Sequence, residues 1–164
     1  MRLLRLLHDL ALCLLLGGVA GTALCAGVLF DRAPTREIAG QIGSAIFGRL
    51  GPSVLVLTLV VLGSKLLLPR SGGAWRLPMI MACGMTALAL VIALWLTPRM
   101  ISIWNEAPHA QDGSGLLGED RRRFFMLHGM TNVGYVAIAI LSAIQVALGS
   151  RGGREGVARP HRGE

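Results

Sequence analysis

Long apolar stretches separated by short polar connections dominate the chain. They cover residues 10–30, 52–68, 77–97 and 124–148. A helix that crosses a bilayer needs about 20 mainly apolar residues, which each stretch approaches or exceeds. Lys65 near the end of the second stretch and His128 in the fourth are their only basic side chains, and no strand-like alternation is present. The pattern predicts an all-α fold, a four-helix transmembrane bundle.

The connection between the first two stretches has a periodicity of its own. Ile38, Ile42 and Ile46 recur at helical spacing, and Thr35 is placed to cap a helix. We therefore predict a short amphipathic helix between helices 1 and 2. It would lie in the membrane interface, or prolong the second span and be broken at Gly51-Pro52.

The end of the chain differs from the rest. Residues 149–164 contain almost no apolar side chain, so they cannot bury enough surface to offset the entropy lost on ordering. We predict a membrane domain over residues 1–148 and a disordered basic tail over 149–164.

Composition excludes most soluble classes. Of 164 residues, 53% are hydrophobic and 15% are charged, against about 25% charged in an ordinary soluble domain. The net charge of +7 would suit nucleic acid, but the basic residues flank the apolar stretches, as membrane anchors do. The predicted partner is the lipid bilayer, not nucleic acid.

The basic residues also predict an orientation. Nine Lys and Arg side chains fall on the side of the N-terminus and seven on the opposite side. Because cytoplasmic loops carry the excess of positive charge, we predict a multi-pass protein of the inner (plasma) membrane with both termini cytoplasmic.

Small residues form a stripe on the first helix. Cys13, Gly17, Gly21 and Cys25 are spaced four apart, and such residues let helix backbones approach closely in lipid. We predict that Gly17 and Gly21 pack within the four-helix unit. The alternative is a homo-oligomer interface through helix 1.

The fourth helix carries the candidate binding residues. His128, Thr131, Asn132 and Tyr135 fall within one arc at steps of three and four. Since lipid offers polar groups no partners, we predict that this face points into the bundle. It would either line a binding or passage surface or form hydrogen bonds between helices.

Enzyme motifs are not found in the sequence. It contains no G-x-S-x-G, no H-E-x-x-H and no carboxylate at a span centre, so we predict a non-enzymatic protein without catalytic residues. His8 and His128 would lie at opposite ends of the bundle, too far apart to share an ion. No metal and no cofactor are predicted on this basis.

Several short motifs resemble a known family. They are Ala26-Gly27-Val28-Leu29-Phe30, Ala39-Gly40, Ile46-Phe47, Thr97-Pro98-Arg99 closing the third helix, and Phe125-Met126-Leu127-His128-Gly129-Met130-Thr131-Asn132 opening the fourth. In this order they resemble the transmembrane protein 205-like family, also called domain of unknown function 4149, although Gly27 stands where that family usually has proline. The resemblance implies a four-helix membrane protein without established activity. The function that we predict is non-enzymatic, that of a scaffold or of a passive pathway lined by the polar face of the fourth helix.

A more distant similarity carries an alternative function. Leu7-His8 followed by Leu16-Gly17-Gly18 is similar to the opening of the copper resistance D-like and protoporphyrinogen oxidase HemJ-like membrane proteins. This similarity implies a haem- or copper-binding redox protein, with His8 and His128 as candidate ligands.

Overall fold

The described part of the chain is almost entirely helical. The computed structural model describes residues 2–68, 75–108 and 116–155. Five α-helices and one π-helical turn follow one another: α1 (Arg2–Arg32), α2 (Arg36–Leu67), α3 (Arg76–Val91), the π-helical turn (Ile92–Leu96), α4 (Thr97–Glu106) and α5 (Gly118–Glu155). The all-α four-helix architecture predicted from the sequence is confirmed.

The long helices form a ring. α1 and α3 each pack against both α2 and α5, while α4 packs against α2 and α5 beyond the end of α3. Large side chains that are almost completely buried fill the interior, among them Leu12, Leu15, Val61, Met85 and Ile138. The core is therefore a packed apolar cluster to which all four long helices contribute.

The outer surface is apolar as well. Leu24, Leu94, Val133 and many other large hydrophobic side chains point away from the ring. Four helical segments are long and apolar enough to cross a membrane: Arg2–Arg32, Arg36–Leu67, Arg76–Glu106 and Gly118–Gly149. This is the organisation of a multi-pass membrane protein, in which lipid covers the apolar exterior.

The segment before the second span is not a separate helix. Thr35 caps the N-terminus as predicted, since its hydroxyl oxygen accepts a hydrogen bond from the amide of Ile38 at 3.2 Å. From there α2 continues through Gly51 and Pro52 without a break. Proline removes one amide donor from the ladder, but the turns on both sides continue the helix. The prolonged second span is the alternative that the structure supports.

The third span also continues beyond its predicted end. The predicted span ends at Thr97-Pro98-Arg99, whereas the helix continues as α4 to Glu106. In the intervening π-helical turn the Thr97 amide donates to the Ile92 carbonyl, five residues back. This one-residue shift leaves Pro98 in the first turn of α4, where no amide donor is needed.

The last helix is longer than predicted at both ends. α5 begins at Gly118, six residues before the expected start at 124, and remains helical to Glu155. The predicted boundary between the membrane domain and the tail, at residues 148 and 149, therefore lies within this helix, and the disorder of the tail stays a prediction. Residues 156–164 lie outside the described residues.

Candidate functional site

One end of the bundle extends beyond the membrane-spanning length. α2 has 32 residues, about 48 Å of helix, against a hydrocarbon thickness of about 30 Å. Its apolar part is the C-terminal one, so the excess length lies toward its N-terminus. We call this the distal end: it contains the C-terminus of α1, the N-terminal parts of α2 and α5, and α4.

A pocket of about 100 Å³ opens at the distal end. Aromatic, aliphatic and glycine residues from four helices and the segment before α5 form most of its wall. Its lining comprises Phe30, Arg36, Gly40, Gly43, Ser44, Phe47, Met100, Ile101, Trp104, Leu116, Arg121, Phe124, Phe125 and His128. We call it the distal pocket.

Two glycines of α2 shape one wall of the distal pocket. The indole ring of Trp104 lies directly against the backbone of Gly40, in the space that a Cβ atom would occupy. At Gly43, three residues along the same helix, a Cβ atom would have no neighbour within 4 Å among the described residues. Trp104 therefore closes the pocket at Gly40, while the helix backbone remains open to the cavity at Gly43.

His128 borders the same cavity from α5. Its ring meets the ring of Phe47 edge to face at 5.3 Å between centroids, and it stacks on Phe124 at 6.0 Å. The Nδ1 atom is buried and has no hydrogen-bond partner among the described residues. Aromatic packing, not hydrogen bonding, therefore holds this imidazole in place.

The two charged residues that line the distal pocket are both basic. Arg36 and Arg121 are part of its lining, and neither Asp nor Glu belongs to it. Within the described ranges, Arg123 and Glu119 pair at 2.7 Å, whereas no acidic side chain pairs with Arg36 or Arg121. The Arg121 guanidinium lies 5.8 Å from the centre of the Phe125 ring. The pocket thus combines an apolar wall with two cationic groups.

The predicted polar face of α5 is divided by the structure. Thr131 and Tyr135 are buried and His128 is half-buried, but Asn132 is exposed. The prediction that Asn132 points inward is wrong because the buried arc is centred on Thr131 and Ile138, about 100° from Asn132 around the helix. Ile138, near the centre of the buried arc, is fully buried.

Buried polar groups of α5 use their own helix. The Thr131 hydroxyl donates to the Leu127 carbonyl at 2.9 Å, and the Ser142 hydroxyl donates to the Ile138 carbonyl at 2.8 Å. Gln145 reaches another helix, where its Nε2 lies 3.4 Å from the sulfur of Met85. Hydrogen bonds within the helix therefore satisfy two of the buried polar side chains of α5, Thr131 and Ser142.

The Tyr135 hydroxyl lies close to Gly51 of α2 and to Thr97 at the start of α4. A Cβ atom at Gly51 would lie 3.3 Å from the Thr97 hydroxyl and 3.7 Å from the Tyr135 hydroxyl. Both hydroxyls are buried without a hydrogen bond of good geometry among the described residues. The absence of a side chain at Gly51 therefore lets Tyr135 and Thr97 approach the second helix just before Pro52.

The glycine stripe of α1 does not pack within the bundle. Cβ atoms placed at Gly17 and Gly21 would have no neighbour within 4 Å among the described residues, and Gly17 is exposed. The prediction of packing inside the four-helix unit is wrong, because α1 uses Ala11, Leu12 and Leu15 for its core contacts. The stripe faces the surroundings of the protein.

His8 and His128 lie at different positions along the length of the bundle. His8 lies beside the Val61 carbonyl of α2, whereas His128 contacts Phe47. Val61 and Phe47 are 14 residues apart on α2, which is about 21 Å along the helix. The residues present do not fit one ion or haem iron held by both histidines. The described ranges also contain no group of three or more His, Cys, Asp or Glu side chains placed to hold a metal.

Sequence reasoning missed most of the distal pocket. It singled out His128 but not Gly43, Trp104, Arg36 or Arg121. The available signal was Gly40 and Gly43, seven and four residues before Phe47 and so on the same face of the helix, which marks an α2 face without side chains. Residues of α1, α2, α4 and α5 and Leu116 form the pocket, and their proximity follows from the packing of these helices.

Comparison with known proteins identifies the family. The model of the family described as "Domain of unknown function (DUF4149)" matches residues 10–109, a region that includes α2 to α4 and most of α1. No curated protein and no solved structure matches the chain. Since the family match covers more than half of the 164 residues, the chain belongs to the DUF4149 family of membrane proteins.

Proposed function

We propose that this integral membrane protein is a non-enzymatic binding protein, which holds a ligand in the distal pocket. The observation that carries the proposal is a cavity with an aromatic wall and an uncovered helix backbone at Gly43. Ligand sites are usually preformed concave surfaces of this kind, mostly apolar with a few polar groups. The predicted site residue His128 belongs to this site, and Tyr135 lies deeper in the bundle.

The bundle interior favours binding over passive passage. Leu15, Met85 and Ile138 are completely buried at the centre of the ring, and the hydroxyls of Thr131 and Ser142 are engaged by their own helix. A permeation path needs polar groups that remain available to the permeant. The function as a passive pathway along α5 is therefore the less favoured form of the proposal.

The chemistry of the pocket lining favours a binding role as well. Acid–base catalysis needs a titratable group in hydrogen-bond reach of the reacting atom, often oriented by a second group. His128 is packed by aromatic rings without such a second group in the described residues. The Ser44 hydroxyl, also in the lining, donates to the Gln41 carbonyl at 2.8 Å.

The resemblance to the transmembrane protein 205-like family is part of the same proposal. A transmembrane protein 205-like scaffold agrees with a four-helix bundle whose activity consists of binding. The alternative, a haem- or copper-binding protein of the copper resistance D-like or HemJ-like type, is less favoured. It would need ligands other than the pair His8 and His128, which lie about 21 Å apart along α2.

We also propose that the protein lies in the inner membrane with both termini in the cytoplasm, which places the distal end on the opposite side. The excess of Lys and Arg on the side of the N-terminus supports this orientation. Reporter fusions after Ser71 and Gly113 test it. We expect a cytoplasmic signal after Ser71 and none after Gly113; the reverse pattern would invert the topology.

The proposed partners are lipid and a second copy of the chain. The apolar exterior requires lipid contact. The outward stripe that includes Gly17 and Gly21 leaves a part of α1 where another helix can approach closely. Self-association through α1 is therefore compatible with ligand binding at the distal end, because the stripe is not part of the pocket lining.

A pair of matched substitutions tests ligand binding. Gly43→Leu places a side chain in the open space of the distal pocket, whereas Gly63→Leu places the same side chain in open space on the same helix away from it. We expect mass spectrometry of protein purified in mild detergent to find a bound molecule in the wild type and in Gly63→Leu, reduced at least about tenfold in Gly43→Leu, since the leucine occupies the site.

One outcome of this experiment would refute ligand binding in the distal pocket. If Gly43→Leu retains every molecule that the wild type retains, while its thermal unfolding matches that of Gly63→Leu, the distal pocket is not a ligand site. Both substitutions replace glycine inside a helix, so their local effects on helix stability are similar.

A further inference from the structure

We infer that the distal pocket selects an anionic phospholipid of the surrounding bilayer, with its phosphate held by Arg36 and Arg121. This inference rests on the proposed binding function and names the class of ligand. Three features support it: the charge of the pocket, the chemistry of its wall and its depth along the bundle.

The charge of the pocket favours an anion. Arg36 and Arg121 come from different helices and meet at one cavity, which contains no carboxylate. Neither forms an ion pair in the described part of the chain, although the neighbouring Arg123 pairs with Glu119. A guanidinium presents several donors in a planar fork that matches the oxygens of a phosphate. An anion with such oxygens is the partner that complements both arginines.

The wall of the pocket favours an apolar body attached to that anion. Phe47, Trp104 and Phe124 surround the cavity, and Gly43 allows close approach to the helix backbone. Phe30 and Phe125, also in the lining, have more than half of their surface exposed, so the pocket has aromatic groups at its edge. A fully hydrated small anion would gain nothing from this surface, whereas the upper part of an acyl chain would cover it.

The depth of the pocket favours a lipid as the source. The distal end lies where α2 extends beyond the hydrocarbon thickness, which is the level of the lipid headgroups. Basic pockets between membrane helices bind anionic headgroups by the same chemistry. Free phosphate offers the same oxygens without the chain, so the experiment must separate these two sources.

Fluorescence quenching with Trp104 as the probe distinguishes a bound lipid from bound free phosphate. Trp75→Phe and Trp95→Phe leave Trp104 as the only tryptophan of a variant reconstituted in nanodiscs. Phosphatidylglycerol or phosphatidylcholine with brominated acyl chains is then added at equal low fraction to unbrominated phosphatidylcholine. Because bromine quenches tryptophan at short range, the signal reports lipid chains that enter the pocket.

We expect phosphatidylglycerol to quench Trp104 more strongly than phosphatidylcholine does at the same fraction. Arg36→Gln and Arg121→Gln should each reduce this preference about fivefold, from the attraction between one arginine and an anionic lipid. Arg122→Gln is the matched control, since Arg122 neighbours Arg121 but does not line the pocket, and it should keep the preference. Raised salt should weaken the preference and inorganic phosphate should not abolish it.

Other outcomes overturn the inference in distinguishable ways. Equal quenching by both lipids that disappears in Gly43→Leu would leave the binding pocket but refute selection of an anion. Loss of the preference on addition of inorganic phosphate, with the quenching by phosphatidylcholine unchanged, would identify the free anion as the ligand. Quenching that Gly43→Leu does not reduce for either lipid would refute both the inference and the proposed binding function.

Discussion

Replacing Gly40 by alanine is expected to destabilise the protein and to displace Trp104. The Cβ atom of the new side chain would fall on the indole ring, which fills the space beside the Gly40 backbone. Relief requires the helices α2 and α4 to separate or the tryptophan to leave its position. Insertion of one methyl group into packed space costs about 1–3 kcal/mol. Thermal unfolding in detergent, followed by circular dichroism, measures the loss.

Gly43→Ala is the control for this substitution. It makes the same change three residues further along α2, where a Cβ atom has no neighbour within 4 Å in the described part of the structure. Alanine favours a helix over glycine by about 0.5–1 kcal/mol, so this variant should be as stable as the wild type or slightly more stable. Equal stability of Gly40→Ala and Gly43→Ala would contradict the contact between Gly40 and Trp104.

A double-mutant cycle attributes the effect to that contact. If the loss arises from the collision, Trp104→Leu should remove most of the additional cost of Gly40→Ala, because the shorter side chain leaves room for the methyl group. A coupling of about 1 kcal/mol or more is expected for residues in direct contact. Additive effects would assign the loss to something other than the indole ring.

Ile138→Ala is expected to have the second large effect. Ile138 is fully buried in the cluster that joins all four long helices. Truncation leaves a cavity that the packed ring cannot close completely, and comparable core substitutions cost about 2–5 kcal/mol. In a membrane the loss of packing contacts remains even though lipid replaces water outside, so we expect a value near the lower limit, about 2 kcal/mol, in the same unfolding measurement.

Ile140→Ala provides the comparison. Ile140 is two residues away on α5 with about half of its surface exposed (55%), so lipid or detergent takes the place of the lost atoms. Its effect should be below about 0.5 kcal/mol, as for most surface substitutions. If Ile140→Ala cost as much as Ile138→Ala, the assignment of Ile138 to the core of the ring would be wrong.

The apolar character of the side chains and the length of the apolar stretches account for what the sequence predicted well. Apolar stretches of about 20 residues have one low-energy form in a bilayer, the helix that satisfies its own backbone. The four spans and the Thr35 cap were therefore predictable from local sequence. The ends of these helices were not, because proline at 52 or 98 can interrupt a helix or be accommodated within it, depending on neighbouring turns.

Side-chain direction was harder to predict than helix position. His128, Thr131, Asn132 and Tyr135 lie near one another on a helical projection, but only the positions of α1 and α3 determine which part of that arc is buried. Asn132 is outside this part and Ile138 at its centre. A hydroxyl that donates to its own helix needs no partner from another helix, as Thr131 shows. The polarity of a side chain is therefore a weak guide to the direction in which it points.

By itself, the sequence determined that this chain is a helical membrane protein with four spans, since hydrophobic length and backbone satisfaction are local properties. The tertiary structure alone decided where the proposed ligand pocket lies. Gly43, Trp104 and Arg121 are far apart in the chain, and they line one pocket because α4 packs against both α2 and α5 at the distal end. A pocket is a property of the space between elements, and no periodicity within a single helix encodes it.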